Sequence, residues 1–213
     1  MTQLHLIPPP PREAFAEGAL LLRGYALDLA PTLLDDVTRL GAISPPRQMS
    51  TPGGLQMSAS LTNCGALGWT SDASGYRYSP IDPMTGAPWP PIPAHWLDLA
   101  QRAASEAGYT CFEPDVCLVN RYPPGSRLGM HQDKDERSHD HPVVSVSLGI
   151  TATFVFGGVR RRDAVQSLPL HHGDVAVWGG PSRLAYHGVR PIATGHHPMV
   201  GPWRWCLTFR KAG

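Results

Sequence analysis

Helical periodicity disappears from this sequence at about residue 111. From there to the C-terminus, short alternating or β-branched runs are separated by Gly, Pro, Asp and His: CLVNRY, VVSVSLGI, TATFVFGG, GDVAVWGG, RLAYHGV and RWCLTFR. Alternation with a period of two places successive side chains on opposite faces of a strand. Short strands punctuated by turn residues are typical of an antiparallel barrel or jelly roll. We therefore expect a β-rich back half whose strands enclose a common interior.

The front half contains helical patterns instead. The run GALLLRGYAL at 18–27 predicts a strand, and the run PTLLDDVTRL at 31–40 opens with a proline and places its apolar residues on one helical face. A second helix is predicted from Trp96 to Ala107, where apolar residues recur at helical spacing, and Gly108 follows as the stop signal. These are ordinary core elements.

Residues 44–94, between the two predicted helices, are dominated by Pro, Gly, Ser and Thr. The same stretch carries Trp69, Tyr76, Tyr78 and Trp89, which makes it too aromatic for a disordered linker. A chain of 213 residues is long enough for one sizeable core. We expect a single domain over residues 1–213, with this aromatic segment attached to the β-rich half.

Charge and cysteine usage limit the partners and the compartment. The formal net charge of +1 gives no global field that would hold a polyanion, so nucleic-acid binding would have to come from local basic clusters. The four cysteines include no CxxC pair, and the N-terminus MTQLHLIPPPPREAF lacks the pattern of a signal peptide. No apolar run approaches the roughly 18 residues that a membrane span needs. We expect a cytoplasmic protein with no membrane contact.

The stretch HQDKDE, at 131–136, concentrates one imidazole and three carboxylates in a chain of which only 16% is charged. On a strand, His131 and Asp133 would point the same way and could present a nitrogen and an oxygen to one point. One remote histidine would complete the two-histidine, one-carboxylate face of non-haem Fe(II) oxygenases. The alternative is a solvated polar turn. Asp135 lies on the same alternating face, so periodicity does not choose between the two aspartates.

Spacing alone does not identify the remote ligand. The downstream candidates are His139, His141, His171, His172, His187, His196 and His197. His187 is preferred because it lies in the strand-like run RLAYHGV, whereas the paired histidines lie beside turn residues. A structural histidine at this position remains the alternative.

The C-terminal run RWCLTFR alternates an apolar side with a polar one. If Leu207 and Phe209 enter the core, Arg204 and Arg210 point into the space that the sheet encloses. Buried arginine is rare unless it meets an anion, and a small dicarboxylate that chelates the metal would supply one. The alternative is an exposed edge strand with two solvated arginines.

Taken together, these stretches resemble the bacterial AlkB family of alkylation-damage repair dioxygenases. The resemblance extends from about residue 47 to residue 210 and is carried by RQMSTPGG, TNCG, LGWT, GYRYSPIDP, CLVNRYPPG, HQDKDE, VSVSLG, FGG, HGDVAVWGG, YHGV and LTFR. It implies an α+β, mainly β fold: a double-stranded β-helix (jelly roll) with N-terminal helices and a nucleotide-recognition lid. The lid would span about 44–94 and the catalytic core about 111–213.

The resemblance also implies the cofactors and the role of each site residue. Fe(II), 2-oxoglutarate and O2 would be used, with iron held by the catalytic residues His131, Asp133 and His187. The cosubstrate would be bound by Asn120, Tyr122, Arg204 and Arg210, and the substrate by Trp69, Tyr76, Asp135, Thr51, Met57 and Ser58. Arg161, in a run of three arginines more basic than the family pattern, could bind phosphates. One departure is Cys206, where the family has asparagine between the two arginines.

The activity implied is oxidative demethylation of 1-methyladenine and 3-methylcytosine in DNA. Methylation of either base blocks its pairing edge and leaves a cationic ring, which a tryptophan face and a carboxylate would both attract. The few basic residues favour single-stranded DNA, with double-stranded DNA and RNA as further candidates, and we expect a monomer. The alternatives are a 2-oxoglutarate dioxygenase for a small molecule or protein, a non-catalytic nucleic-acid binding module, and a cupin-like metallohydrolase.

Overall fold

The computed structural model describes residues 11–213, so the proline-rich start and the signal-peptide expectation that rests on it lie outside the described residues. The helices are α1 (Ala30–Ile43) and α2 (Ala94–Glu106). The strands are β1 (Arg12–Ala16), β2 (Ala19–Leu22), β3 (Ser60–Gly65), β4 (Gly68–Asp72), β5 (Gly75–Ser79), β6 (Val116–Tyr122), β7 (Leu128–His131), β8 (Val143–Gly149), β9 (Ala152–Phe156), β10 (Gln166–Leu170), β11 (Val175–Trp178), β12 (His187–Val189) and β13 (Arg204–Arg210).

The strands form two main antiparallel sheets and a separate hairpin. The larger sheet has seven strands in the order β1-β2-β11-β8-β13-β6-β3, and the smaller has four in the order β10-β9-β12-β7. Strands β4 and β5 pair only with each other. The fold class predicted from the sequence, mainly β with a jelly-roll core and two N-terminal helical segments, is confirmed. Within residues 11–213, no helix combines the length and apolar character that a membrane crossing requires.

Each face of the seven-stranded sheet is covered by a different partner. On one face, α1 and α2 bury Leu33 and Trp96 against Val146 and Phe209 in the main core. On the other face, a second core contains Leu21 and Trp178 of the large sheet with Phe154 and Phe156 of the small one. Burying each such side chain contributes about 1.5–3 kcal/mol. The polar side chains of the inner face therefore lie between two sheets that apolar contacts hold together.

Element boundaries differ from the sequence predictions where turn geometry intervenes. The predicted strand at 18–27 ends at Leu22, because Gly24 adopts a left-handed φ of 63° that extended strands do not use. In RLAYHGV only His187–Val189 is strand, and a short 3-10 helix at Gly180–Ser182 precedes it. Helix α2 ends as predicted, and Gly108 has a φ of 88°.

Asp36 connects the two helices inside the main core. Asp36 is 6% exposed, and its carboxylate accepts a hydrogen bond from the indole Nε1 of Trp96 at 3.0 Å and pairs with Arg39. Asp36→Ala would leave the buried Trp96 donor unpaired, which costs about 1–3 kcal/mol. We expect a fall in Tm of roughly 2–4 °C for each kcal/mol lost in a protein of this size, measured by thermal denaturation. Asp36→Asn keeps an acceptor and should lose less; equal losses in both variants would contradict this reading.

Candidate active site

Three of the predicted residues meet at the edge of the small sheet. His131 ends β7 and lies directly opposite His187, the first residue of β12, with ring centroids 4.4 Å apart. Asp133 follows two residues after the end of β7, so it reaches the site from a loop and not from a strand as the period-two argument assumed. Its carboxylate oxygens lie 3.4 Å from His131 Nε2 and 3.5 Å from His187 Nε2.

The geometry of these three side chains fits a metal ion. One donor atom from each lies within 4.8 Å of the others, and in residues 11–213 this is the group of three that could hold a metal. His131 Nδ1 donates to the Gly129 carbonyl at 2.9 Å and His187 Nδ1 to the Ala185 carbonyl at 3.0 Å, because a carbonyl only accepts. Both Nε2 lone pairs are therefore free for a ligand. Two imidazoles and a carboxylate are the donor set that suits non-haem Fe(II).

Burial and charge act in opposite directions on the three groups. Burial alone would raise the pKa of Asp133, but Arg210 and then His187 hold that pKa well below its usual value. Burial lowers the pKa of His187. Burial is the largest influence on the pKa of His131 and acts to lower it, but the contact with the Asp133 carboxylate and the bond to the Gly129 carbonyl together raise that pKa overall. The carboxylate is thus ionised and ready to bind a cation.

The ring of His187 is also part of the second core. It lies 5.0 Å from the ring of Trp178 in the large sheet, and 5.9 and 6.5 Å from those of Phe154 and Phe156 in the small sheet. His187 is 4% exposed. The other candidate histidines lie outside the metal-ligating group, and His172, for instance, stacks on His197 with centroids 4.2 Å apart.

The two arginines of β13 point between the sheets, as the alternation predicts. Strand β13 lies between β8 and β6 in the large sheet, so it is not the exposed edge strand of the alternative reading. Arg204 is 1% exposed, donates to Ser147 Oγ at 3.0 Å, and forms no ion pair with a carboxylate of the described residues. Its buried Nε has no hydrogen-bond partner in that part of the chain. A buried guanidinium without a counter-ion fits a site for an anionic cosubstrate.

The remaining predicted cosubstrate residues lie beside Arg204 in the sheet. Tyr122 on β6 is the cross-strand partner of Arg204, and Asn120 is that of Cys206. Tyr122 is 2% exposed, and burial raises its pKa, which keeps the hydroxyl protonated as a donor. The Cys206 sulfur lies 3.1 Å from Ser145 Oγ on the neighbouring strand. Side chains that can donate hydrogen bonds therefore lie beside Arg204 on neighbouring strands of the large sheet.

The β4–β5 hairpin brings aromatic rings to the HQDKDE segment. Trp69 stacks on Tyr76 with centroids 5.5 Å apart and an interplanar angle of 16°. The indole Nε1 of Trp69 donates to Asp135 Oδ2 at 2.9 Å. Asp135 is exposed, in contrast to the buried Asp133, which separates the two carboxylates that periodicity left equivalent. The structure therefore places Trp69, Tyr76 and Asp135 together next to the metal-ligating group.

The other predicted substrate residues make contacts outside the metal-ligating group. Ser58 Oγ donates to the Arg127 carbonyl at 2.8 Å, and Thr51 Oγ1 accepts from the Leu55 amide at 3.1 Å. The backbone of Met57 bonds to that of Met49. Arg161 is exposed, lies over the ring of Tyr186 at 5.6 Å, and reaches the carbonyl of Met130, the neighbour of His131. Of these four residues, Arg161 is the one with a contact to the strand that carries His131.

Sequence reasoning missed two buried charged residues beside the site. Arg183, 3% exposed, donates through Nη1 to the Asp133 carbonyl at 2.8 Å and through Nε to the His141 carbonyl at 2.9 Å. Glu136, 6% exposed, faces both Arg183 and Arg210. Glu136 stood in the motif but gave no signal of burial, and Arg183 is an isolated arginine in a turn, so no pattern marked either residue.

Comparison with known proteins agrees with this geometry. Residues 18–210 match the family described as 2OG-Fe(II) oxygenase superfamily. An alpha-ketoglutarate-dependent dioxygenase AlkB of Escherichia coli K12 is 53% identical over 204 residues, 96% of this chain and 94% of that protein. The AlkB of Salmonella typhimurium LT2 is 53% identical over 203 residues, 95% of this chain and 94% of that protein. The solved structure of OsALKBH1 superimposes with a TM-score of 0.83 at 30% identity, covering 94% of this chain and 100% of that one.

Proposed function

Because the chain belongs to the 2OG-Fe(II) oxygenase superfamily and, by its similarity to the AlkB proteins, to the AlkB family, we propose that it repairs N-alkylated bases in nucleic acid. The protein is an Fe(II)- and 2-oxoglutarate-dependent dioxygenase. Its substrates are 1-methyladenine and 3-methylcytosine in DNA. The alkyl carbon is released as formaldehyde, with succinate and CO2 as co-products.

We assign the iron ligands to His131, Asp133 and His187, whose donor atoms face one point. With 2-oxoglutarate and O2, bound iron supplies an oxidant strong enough to hydroxylate an inert methyl C–H bond. The chain holds the cosubstrate through Arg204 and Arg210, next to Tyr122 and Asn120, and Arg210 also pairs with Asp133 at 2.7 Å. The apolar second core around His187 excludes water from this side of the site.

The observation that supports the substrate class is the hydrogen bond between Trp69 and Asp135 beside the metal-ligating group. A methylated adenine or cytosine is a flat cation, and it would stack on the Trp69 face with roughly 1–3 kcal/mol of stabilisation per base. Asp135 would accept from the exocyclic amino group, and Tyr76 would contact the nucleotide. Methylation also removes base pairing, which lowers the cost of moving the base out of the stack.

Few cations are available for the phosphates. The exposed candidates are Arg127, Lys134 and the run Arg160, Arg161 and Arg162, whereas Arg77 on the hairpin is paired with Asp72 at 2.6 Å. So few contacts favour single-stranded DNA and a shallow dependence of affinity on salt, with RNA and double-stranded DNA as further substrates. We place the enzyme in the cytoplasm as a monomer; its four free cysteines suit a reducing compartment.

The direct test is to incubate the iron-loaded protein with 2-oxoglutarate, O2 and a single-stranded oligonucleotide carrying one 3-methylcytosine. We expect the oligonucleotide mass to fall by one methylene, with formaldehyde and succinate formed, and an oligonucleotide with unmodified cytosine to stay unchanged. Succinate without a change in mass would contradict the proposed substrate and favour a dioxygenase acting on a small molecule or a protein.

A further inference from the structure

A buried carboxylate beside the iron site has no part in the proposed chemistry. The side chain of Glu136 is 0% exposed and is surrounded by three donors: the Tyr78 hydroxyl at 2.7 Å, Arg183 Nη2 at 3.3 Å and Arg210 Nη1 at 3.4 Å. A buried ionised carboxylate is costly unless it is paired and hydrogen-bonded. The role of Glu136 can therefore be inferred from these three partners.

Both arginines that contact Glu136 also contact Asp133. Arg210 Nη2 lies 2.7 Å from Asp133 Oδ2, and Arg183 Nη1 donates to the Asp133 carbonyl at 2.8 Å. Two carboxylates and two guanidinium groups thus form one buried cluster in which charges balance. Removing Glu136 would leave an excess positive charge around Asp133 and would free one arm of each arginine. The orientation of the Asp133 carboxylate is thus determined in part by a residue that does not touch the metal-ligating atoms.

Tyr78 connects this cluster to the aromatic hairpin. Its hydroxyl donates to Glu136 and accepts from Arg210 Nη1 at 3.0 Å. In the β4–β5 register Tyr78 is the direct cross-strand partner of Trp69, so the two side chains are on the same face of the hairpin. A base stacked on Trp69 would therefore contact the same hairpin that carries the Tyr78 hydroxyl bonded to Arg210.

We propose that Tyr78 and Glu136 are a positioning pair that links occupancy of the Trp69 face to the orientation of Arg210 and Asp133, so that 2-oxoglutarate is consumed efficiently only when a base is bound. The inference rests on the proposed function for the identity of the base. With the pair intact, Arg210 is held from two sides and keeps its bond to Asp133. Without it, Arg210 is held by Asp133 alone, and cosubstrate turnover no longer depends on the hairpin.

Tyr78→Phe removes the hydroxyl and keeps the ring, and Glu136→Gln removes the charge and keeps the shape. Tyr109→Phe is the matched control, because its hydroxyl donates to the Gly18 carbonyl at 2.7 Å, away from the hairpin and the cluster. Succinate is measured with and without the methylated oligonucleotide, with ascorbate present. In turnover without a base, 2-oxoglutarate and O2 take two electrons and two protons from ascorbate to give succinate, CO2 and water.

For Tyr78→Phe we expect the ratio of succinate to repaired base to rise about fivefold, with KM for the oligonucleotide within twofold of wild type. For Glu136→Gln we expect 2-oxoglutarate to bind the Fe(II) protein on the order of tenfold more weakly, as for one lost hydrogen bond to a charged group. This binding is measured without O2 by the visible charge-transfer absorption of the complex. Tyr109→Phe should match wild type in both measurements.

An unchanged succinate-to-repair ratio in Tyr78→Phe would overturn the coupling, even if both rates fell together as a structural effect would make them. Unchanged 2-oxoglutarate binding in Glu136→Gln would overturn the positioning of Arg210. The binding measurement needs no methylated base. A wild-type protein that failed to demethylate would therefore refute the proposed function while the Glu136→Gln result still decided the positioning.

Discussion

His187→Ala abolishes repair of the methylated oligonucleotide, and the expected loss in rate is on the order of a thousandfold or more, since even removal of an outer partner of a metal ligand costs about 10- to 100-fold. The remaining His131 and Asp133 would leave iron with two protein ligands and no fixed face. The same variant should bind Fe(II) more weakly, which equilibrium dialysis of the metal measures independently of turnover.

The control for this substitution is His171→Ala. His171 is exposed, and its ring hydrogen-bonds to Thr151 at 3.0 Å, away from the metal-ligating group. It should retain wild-type iron binding and repair. Full iron affinity in His187→Ala would show that the metal is held elsewhere. If iron affinity falls, circular dichroism of the variant shows whether the fold is intact.

Arg204→Met raises the KM for 2-oxoglutarate by about 10- to 100-fold, because a hydrogen bond to a charged group contributes about 1.5–3 kcal/mol and each 1.4 kcal/mol is a factor of ten. Methionine fills much of the same buried volume without leaving an uncompensated charge. The KM for the methylated oligonucleotide should change little. Arg204 lies on the inner face of β13, whereas Trp69 and Tyr76 lie on the β4–β5 hairpin, which is separate from both main sheets. Initial rates at varied 2-oxoglutarate give both constants.

Arg190→Met serves as the comparison, because Arg190 is exposed and its guanidinium reaches only Ser167 at 3.4 Å. Its KM for 2-oxoglutarate should equal that of wild type. A normal KM in Arg204→Met would mean that the buried guanidinium has another counter-ion, and the cosubstrate would then have to be held by Arg210 without Arg204.

Local pattern correctly predicted which way the side chains of the last strand point. The alternation in RWCLTFR predicted that Arg204 and Arg210 face inward, and both are buried on β13. This worked because side-chain direction in a strand depends only on the backbone pleat. The helical faces of α1 and α2 followed from the period of 3.6 in the same way.

The choice between Asp133 and Asp135 could not be made from pattern, because it depends on where β7 ends. The strand stops at His131, and the following loop turns Asp133 inward toward Arg210 on β13. Asp135 turns outward to Trp69, 66 residues away in sequence. Contacts across such separations are set by tertiary packing, which no local period encodes.

The contacts of the β4–β5 hairpin and the burial of Glu136 also depend on tertiary packing. The aromatic content of residues 44–94 indicated packing, but not that Tyr78 and Glu136, 58 residues apart, would share a hydrogen bond. Glu136 reads in sequence as one more surface charge, and only the convergence of β5, β13 and the turn before β12 shows otherwise. The sequence shows which residue types are present, but it does not show which of them contact each other in the fold.

His187 belongs at once to the metal-ligating group and to the apolar packing between the sheets. Packed sheets are about 10 Å apart, and here Trp178 from one and Phe154 from the other fill that gap around the imidazole. The same side chains therefore determine both the distance between the sheets and the position of the His187 ring. A substitution that changes the size of Trp178 or Phe154 would therefore move the His187 ring and alter the metal-ligating group, even where the fold tolerates it.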